Sequence, residues 1–240
     1  MKELNPEIKS KKFVKAVGAL DFGKNGTPLL TSKNVKKVDK YVKKYSSYAA
    51  NSGDDFVRKY FEEHKGDTSK ASIITKIILI NTIDSTNLKQ QLGKDYYKLM
   101  ADRIIEAKIE KQIAIGNPID KKTFKKIASW SVKKKGKKVN MNLFIFLSKY
   151  ITRTNELSYG RNDYSIMDGV VRDNIHYLRN KDNESYVPAK GELAEYRDNY
   201  DYAGYCKKIN EILENLPGVT RNMLDHFVWF VFKEEAVNDK

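Results

Sequence analysis

An all-α fold is the class this sequence predicts, and three observations predict it. Apolar residues recur at steps of three and four along most of the chain, the spacing of one helix face. No alternating pattern holds for long anywhere, and no internal repeat is visible. A hydrophobic content of 40% in 240 residues, 11% of them aromatic, is enough for a real core, in one domain or in two lobes that fold together. Mean hydropathy of −0.63 and the lack of a long apolar run argue against a membrane-spanning helix. Met1-Lys-Glu-Leu-Asn-Pro-Glu has no apolar signal core and Cys206 is the single cysteine, so a reducing, cytoplasmic setting is expected. His64, His176 and His226 are isolated from one another and from that cysteine, which leaves no zinc-type ligand cluster. Neither a metal nor a cofactor is called for.

Taken in order, residues 1 to 31 carry Gly18, Gly23, Gly26 and Pro28 and read as an arm with turns. From Ser32 or Asn34, the residues Val35, Val38, Tyr41, Val42 and Tyr45 form the apolar face of an amphipathic helix. Asp54 or Asp55 caps a short helix that ends near His64, with Lys65-Gly66 as its stop. The isoleucine-rich run from Ser69 to Asn81 suits a strand or a buried helix; with no glycine or proline to bound a strand, helix is preferred. Tyr96, Leu99, Met100, Ile104, Ile105 and Ile109 keep helical spacing as far as Gly116-Asn-Pro118. Asp120 caps a helix carrying Phe124, Ile127, Ala128 and, at its far end, Val132, which the lysine run around Gly136 breaks. Asn142 to Ile151 is the next helix, Asn155 to Tyr164 a polar loop, and Asp168 to Leu178 another helix. A charged loop, Asn180 to Glu184, leads to a tyrosine-rich helical region from Glu192 to Leu213, and the last helix spans about Thr220 to Glu234. Residues 1–68 form a basic helical region that packs with a helical core at 69–240.

Charge narrows the class of partner. The chain carries 45 basic and 31 acidic residues, a net charge of +14, and the excess is concentrated. Lysines 121, 122, 125, 126, 133, 134, 135, 137 and 138 fall in one short stretch, and lysines 36, 37, 40, 43 and 44 in another. Such a footprint fits a polyanion, and double-stranded DNA is the expected partner. A lysine-rich solvated surface is the plainer alternative.

The most chemical residue is Lys149. On a helix it shares a stripe with Asn142, Ile145 and Phe146, and lysine is seldom placed on an apolar face for packing. An amine at its ordinary pKa is protonated at neutral pH, but apolar surroundings disfavour the ammonium form and can create a nucleophile. Asp168, where a loop meets Gly169-Val-Val-Arg172, is placed to accept backbone N–H bonds as a helix cap. Arg153 lies one turn beyond Lys149 on the same face and can reach a phosphate or a base; Arg161 in the following loop is a further phosphate candidate.

The pair Lys149 and Asp168, 19 residues apart, with an apolar helix before the lysine and Ile166-Met-Asp168 closing the loop, resembles the lysine–aspartate arrangement of helix-hairpin-helix DNA glycosylases. The likeness is greatest to the 8-oxoguanine type, and the Ser148-Lys-Tyr150 segment with Ile166-Met-Asp168 is also similar to a divergent bacterial group with S-K-Y and I-x-D segments. It spans about Ile73 to Leu178. It implies a two-lobed helical fold with the active-site cleft between lobes, a lysine that attacks the deoxyribose C1′, and an aspartate that caps the following helix. The implied activity is excision of an oxidised or modified purine, with or without an AP-lyase step. The segment Ile77 to Gln90 resembles the helix and polar turn that carry an inserted asparagine in these enzymes, which makes Asn87 the wedge, with Ser85 beside it. On the last helix, Asp225 and Trp229 share a face at i, i+4 and suit a flipped purine. Where the family has an L-P-G-V-G hairpin before its lysine, this chain has Lys137-Lys-Val-Asn-Met141, so Lys134, Lys135, Lys137 and Lys138 are the expected DNA-backbone contacts. Leu216-Pro-Gly-Val-Thr220 nearly spells that hairpin but reads as an ordinary turn with Thr220 as a helix cap. The rival readings are a non-catalytic nucleic-acid-binding protein of the same fold, for example in phage defence, and an interaction protein with an incidental basic face.

Overall fold

A computed structural model of the chain describes residues 20–23, 26–45, 52–84, 86–134 and 137–232. The described residues are mostly helical, as the periodicity predicts, with one two-stranded sheet. They divide into two compact units, one drawn from 1–51, 168–194 and 207–240 and the other from 52–167 and 195–206.

In the first unit, helix α1 (Ser32–Tyr45) turns Val35 and Val38 inward. Asn34 is buried at its start, and its side chain accepts from Asp21 N–H and donates to the carbonyls of Asp21 and Leu29, ordering the preceding loop. The same unit holds α9 (Gly169–Asn174), a 3-10 turn at Ile175–Leu178, and α12 (Arg221–Phe232). Helix α12 packs on α1 and α9, with Tyr41 edge-on to Phe230 at 5.4 Å. Thr220 caps α12 by accepting from Met223 N–H at 3.3 Å, so the Leu216–Thr220 segment is a turn and cap.

The second unit begins with α2 (Ser52–Glu63), which Gly66 follows in the left-handed conformation at φ 71°. The isoleucine-rich run is a helix, α3 (Lys70–Ile83), with Ser69 as its cap. Four short helices follow: α4 (Leu88–Leu92), α5 (Tyr96–Glu106), α6 (Ile109–Ile115) and α7 (Lys121–Ala128). Asp120 caps α7 through Thr123.

Two local expectations are corrected here. Val132 does not end helix α7; β1 (Ser129–Lys134) and β2 (Lys137–Asn142) pair antiparallel as a two-stranded ribbon, with Val132 opposite Val139. Trp130 and Val132 do alternate with polar residues, but the run is too short and too lysine-rich to stand out as a strand. The following helix, α8, runs from Phe144 to Tyr159 rather than from Asn142 to Ile151. Residues 155–159, the first part of the segment read as polar loop, are helical because tertiary partners cover them: Asn155 and Ser158 are buried, and Ser158 donates to the Phe61 carbonyl at 3.0 Å. Gly160, at φ 62°, ends the helix.

Helix α8 is the centre of the second unit, packed by α2, α3, α6 and α7. Helices α10 (Glu192–Asp198) and α11 (Tyr202–Glu214) are the remaining helices among the described residues. Tyr202, at the start of α11, stacks on Phe124 at 4.8 Å, while Phe124 contacts Phe144 of α8 at 4.6 Å. No described helix is long and apolar enough to cross a membrane.

Candidate functional site

Lys149 projects from α8 toward the C-terminal end of α3. Its ammonium donates to the Asp84 carbonyl at 3.1 Å and lies 3.9 Å from the Asp84 carboxylate. Arg153, one turn along α8, reaches both Asp84 carboxylate oxygens, at 3.4 and 3.5 Å, and donates to Glu156 at 3.1 Å. Burial opposes the charge on Arg153, yet the Asp84 and Glu156 carboxylates hold its pKa above the ordinary value. A helix C-terminus carries partial negative charge, and an aspartate there adds to it. Two cations spaced i, i+4 on α8 are the electrostatic answer to that end of α3, which explains why a lysine and an arginine share this stripe. The Lys149 side chain keeps 14% of its surface exposed while Asp84 keeps 7%, so the lysine is partly open to solvent and the carboxylate is buried.

A second cluster lies on the same helices and is sealed. Lys76 of α3 and Glu110 of α6, with side chains 0% and 2% exposed, form an ion pair at 3.0 Å. The Tyr150 hydroxyl donates to the other Glu110 oxygen. Burial, and then the Glu110 charge, push the Tyr150 pKa well above its usual range, so it remains a donor. Lys76 meets the sequence criterion that singled out Lys149, a lysine among isoleucines, but no substrate can reach it. Of the two lysines, only Lys149 keeps part of its side chain exposed.

Each residue of the Ser148-Lys149-Tyr150 segment therefore has its own tertiary partner. Ser148 is buried and accepts from Met167 N–H at 3.2 Å, so the residue before Lys149 holds the residue before Asp168. Tyr202 donates to the Ser165 carbonyl at 3.1 Å, and Tyr205 to the Ile166 carbonyl at 2.6 Å. Three consecutive loop residues are thus tied down, and Asp168 follows after one peptide bond. Asp168 caps α9 as expected, accepting from Val171 N–H at 2.8 Å.

The remaining expected residues are spread more widely. Asn87 is exposed in the left-handed region, φ 54°, at the start of α4, and makes no side-chain cap; Ser85 and Lys135 lie outside the described residues. Asp225 and Trp229 are half-buried on α12, in the first unit. Arg161 is directed at the protein's own groups: it donates to the Ile113 carbonyl, pairs with Asp163 at 3.0 Å and lies over the Tyr159 ring. Lys134 ends β1, and Lys137 and Lys138 are exposed on β2.

Asp84, Glu110 and Lys76 escaped the sequence reading. Lys76 carried a usable signal, a charge inside an otherwise apolar run. Asp84 and Glu110 carried none, since their partners sit 65 to 69 and 34 to 40 residues away. No curated protein matches the chain, and no solved structure does. Residues 37–158, about half of the chain, match the family model described as HI_0787_N, N-terminal domain, and the chain belongs to that family.

Proposed function

We propose that the chain is a DNA glycosylase of the two-lobed helical kind its sequence resembles, removing an oxidised or modified purine with Lys149 as nucleophile and Asp168 assisting. One observation carries the reading: a partly exposed lysine lies beside a buried carboxylate, on a helix turn that also holds the loop leading into Asp168. The Asp84 carboxylate, 3.9 Å from the Lys149 amine, takes its proton once a side-chain shift closes that gap to hydrogen-bond distance. The freed amine attacks C1′, the glycosidic bond breaks, and the base departs with the bonding pair and gains a proton. The nitrogen lone pair then forms a C=N bond as C1′–O4′ breaks, O4′ leaving with the bonding pair and taking up the proton held by Asp84, and the resulting protonated imine on Lys149 is the species that supports an AP-lyase step. The basic surface offsets the few kcal/mol that extrusion of a base costs.

Borohydride reduction of the protein mixed with 8-oxoguanine-containing duplex should trap a covalent adduct. Lys149→Ala should abolish it, and Asp84→Asn and Asp168→Asn should slow it. No adduct across a panel of oxidised and alkylated bases would sink the nucleophile. A second reading rests on the ion pairs of Asp84 with Lys149 and Arg153, which also suit a non-catalytic nucleic-acid-binding protein. In that case Lys149→Ala leaves salt-sensitive DNA binding unchanged and no adduct forms with the native chain.

A further inference from the structure

The β1–β2 hairpin is built unlike the rest of the chain. Residues 129–142 contain five lysines and no acidic residue. The strand register sets Lys133 opposite Lys138 and Lys134 opposite Lys137. Like charges directly opposed across a ribbon destabilise it, and a bound polyanion relieves that cost. Among the described residues no carboxylate pairs with Lys137 or Lys138; the nearby Lys126, by contrast, pairs with Glu106 at 3.2 Å.

The base of the ribbon is firmly held. Trp130 is buried and donates to the Ile127 carbonyl at 2.6 Å, and the Arg103 guanidinium lies 3.6 Å above its ring while donating to the Ser129 carbonyl. Asn142 donates to the Arg197 carbonyl at 2.9 Å. Beyond this anchor, residues 137–140 are all exposed. Period two places Ser131 and Asn140, directly opposed, on one face together with Lys138. Both are exposed, and both are residue types that bond to base edges.

We infer that this ribbon is a duplex-DNA-binding arm that seats its Ser131–Asn140 face in the major groove, with Lys137 and Lys138 on the flanking phosphates. A two-stranded ribbon fits a groove about 12 Å wide, and strands of this length reach roughly 20 Å along it. The composition separates duplex DNA from other polyanions. A single-strand platform needs exposed aromatic rings, whereas the ribbon's one aromatic, Trp130, is buried. The deep, narrow major groove of an RNA duplex does not admit a ribbon. The inference rests on the proposed DNA substrate but concerns the docking contact, not the reaction.

Dimethyl sulfate footprinting of a duplex bound by the full chain tests it, because guanine N7 lies in the major groove and adenine N3 in the minor. Guanine N7 should be protected. In Lys137→Ala/Lys138→Ala that protection should weaken, and the salt slope of binding should fall by about two, one per phosphate contact. Arginine at both positions should restore the slope, and Asn140→Ala should keep it while losing preference among duplex sequences. An unchanged slope in the double variant, protection at adenine N3 alone, or equal affinity for single-stranded DNA would overturn the arm. Protection at N7 with no borohydride adduct would leave the arm standing and remove the glycosylase. An adduct that forms equally well in the double variant, with an unchanged footprint, would do the reverse.

Discussion

Removing the Lys76 charge should be among the most damaging single changes to this protein. In Lys76→Met the Glu110 carboxylate, 2% exposed, loses its cation 3.0 Å away and keeps only the Tyr150 hydroxyl. Breaking a buried ion pair from one side costs about 3–5 kcal/mol, because the remaining charge stays desolvated. For a chain of this size that is a drop of roughly 6–20 °C in Tm. The double variant Lys76→Met/Glu110→Gln removes both charges and keeps a hydrogen-bonding group for Tyr150, so it should be much less destabilised than Lys76→Met alone. Lys59 and Glu63, exposed and 3.8 Å apart, provide the comparison: Lys59→Ala should cost about 0.3–0.5 kcal/mol. Urea denaturation of the native chain, Lys76→Met, Glu110→Gln, the double variant and Lys59→Ala, read by circular dichroism, gives the midpoints, with the slope m checked for constancy. A cost for Lys76→Met as small as that of Lys59→Ala would refute the claim that the pair is sealed. Additive costs in the double variant would refute the coupling.

Two further outcomes follow from named contacts. Ser148→Ala removes the acceptor for the buried Met167 N–H, which should cost about 1–3 kcal/mol in urea denaturation and lower the adduct-forming rate of the proposed reaction more than Thr75→Ala, whose hydroxyl serves only its own helix. Burial, and secondarily the charge of Lys190, hold the His176 imidazole pKa below its ordinary 6.5. The unfolded chain then takes up a proton near pH 6.5 that the folded chain refuses, so this stability is complete above that pH and is lost as pH falls through the folded-state pKa. The urea midpoint should therefore fall less between pH 7.5 and 5 in His176→Gln than in the native chain, and equal falls would contradict it.

The helical class was legible because it depends on local spacing. Val35 and Val38 on α1, the isoleucines of α3 and the caps at Asp120, Asp168 and Thr220 all use residues within a turn or two of one another. The same short range explains the two misreadings. The hairpin depends on pairing between strands whose own sequences are weakly alternating, and the last turn of α8 is helical because distant partners, Asp163 and Phe61, hold Asn155 and Ser158.

Of the site, the sequence alone determined that Lys149 and Arg153 share one helical stripe and that Asp168 opens a helix, since 3.6-residue periodicity and capping are local rules. Long-range packing set the rest: Lys149 and Arg153 meet Asp84, Lys76 is sealed in a pair with Glu110, and Ser148 holds Met167. The reason is physical: a charge's function follows from its solvent exposure and its opposite charge. Both are set by packing between helices far apart in the chain.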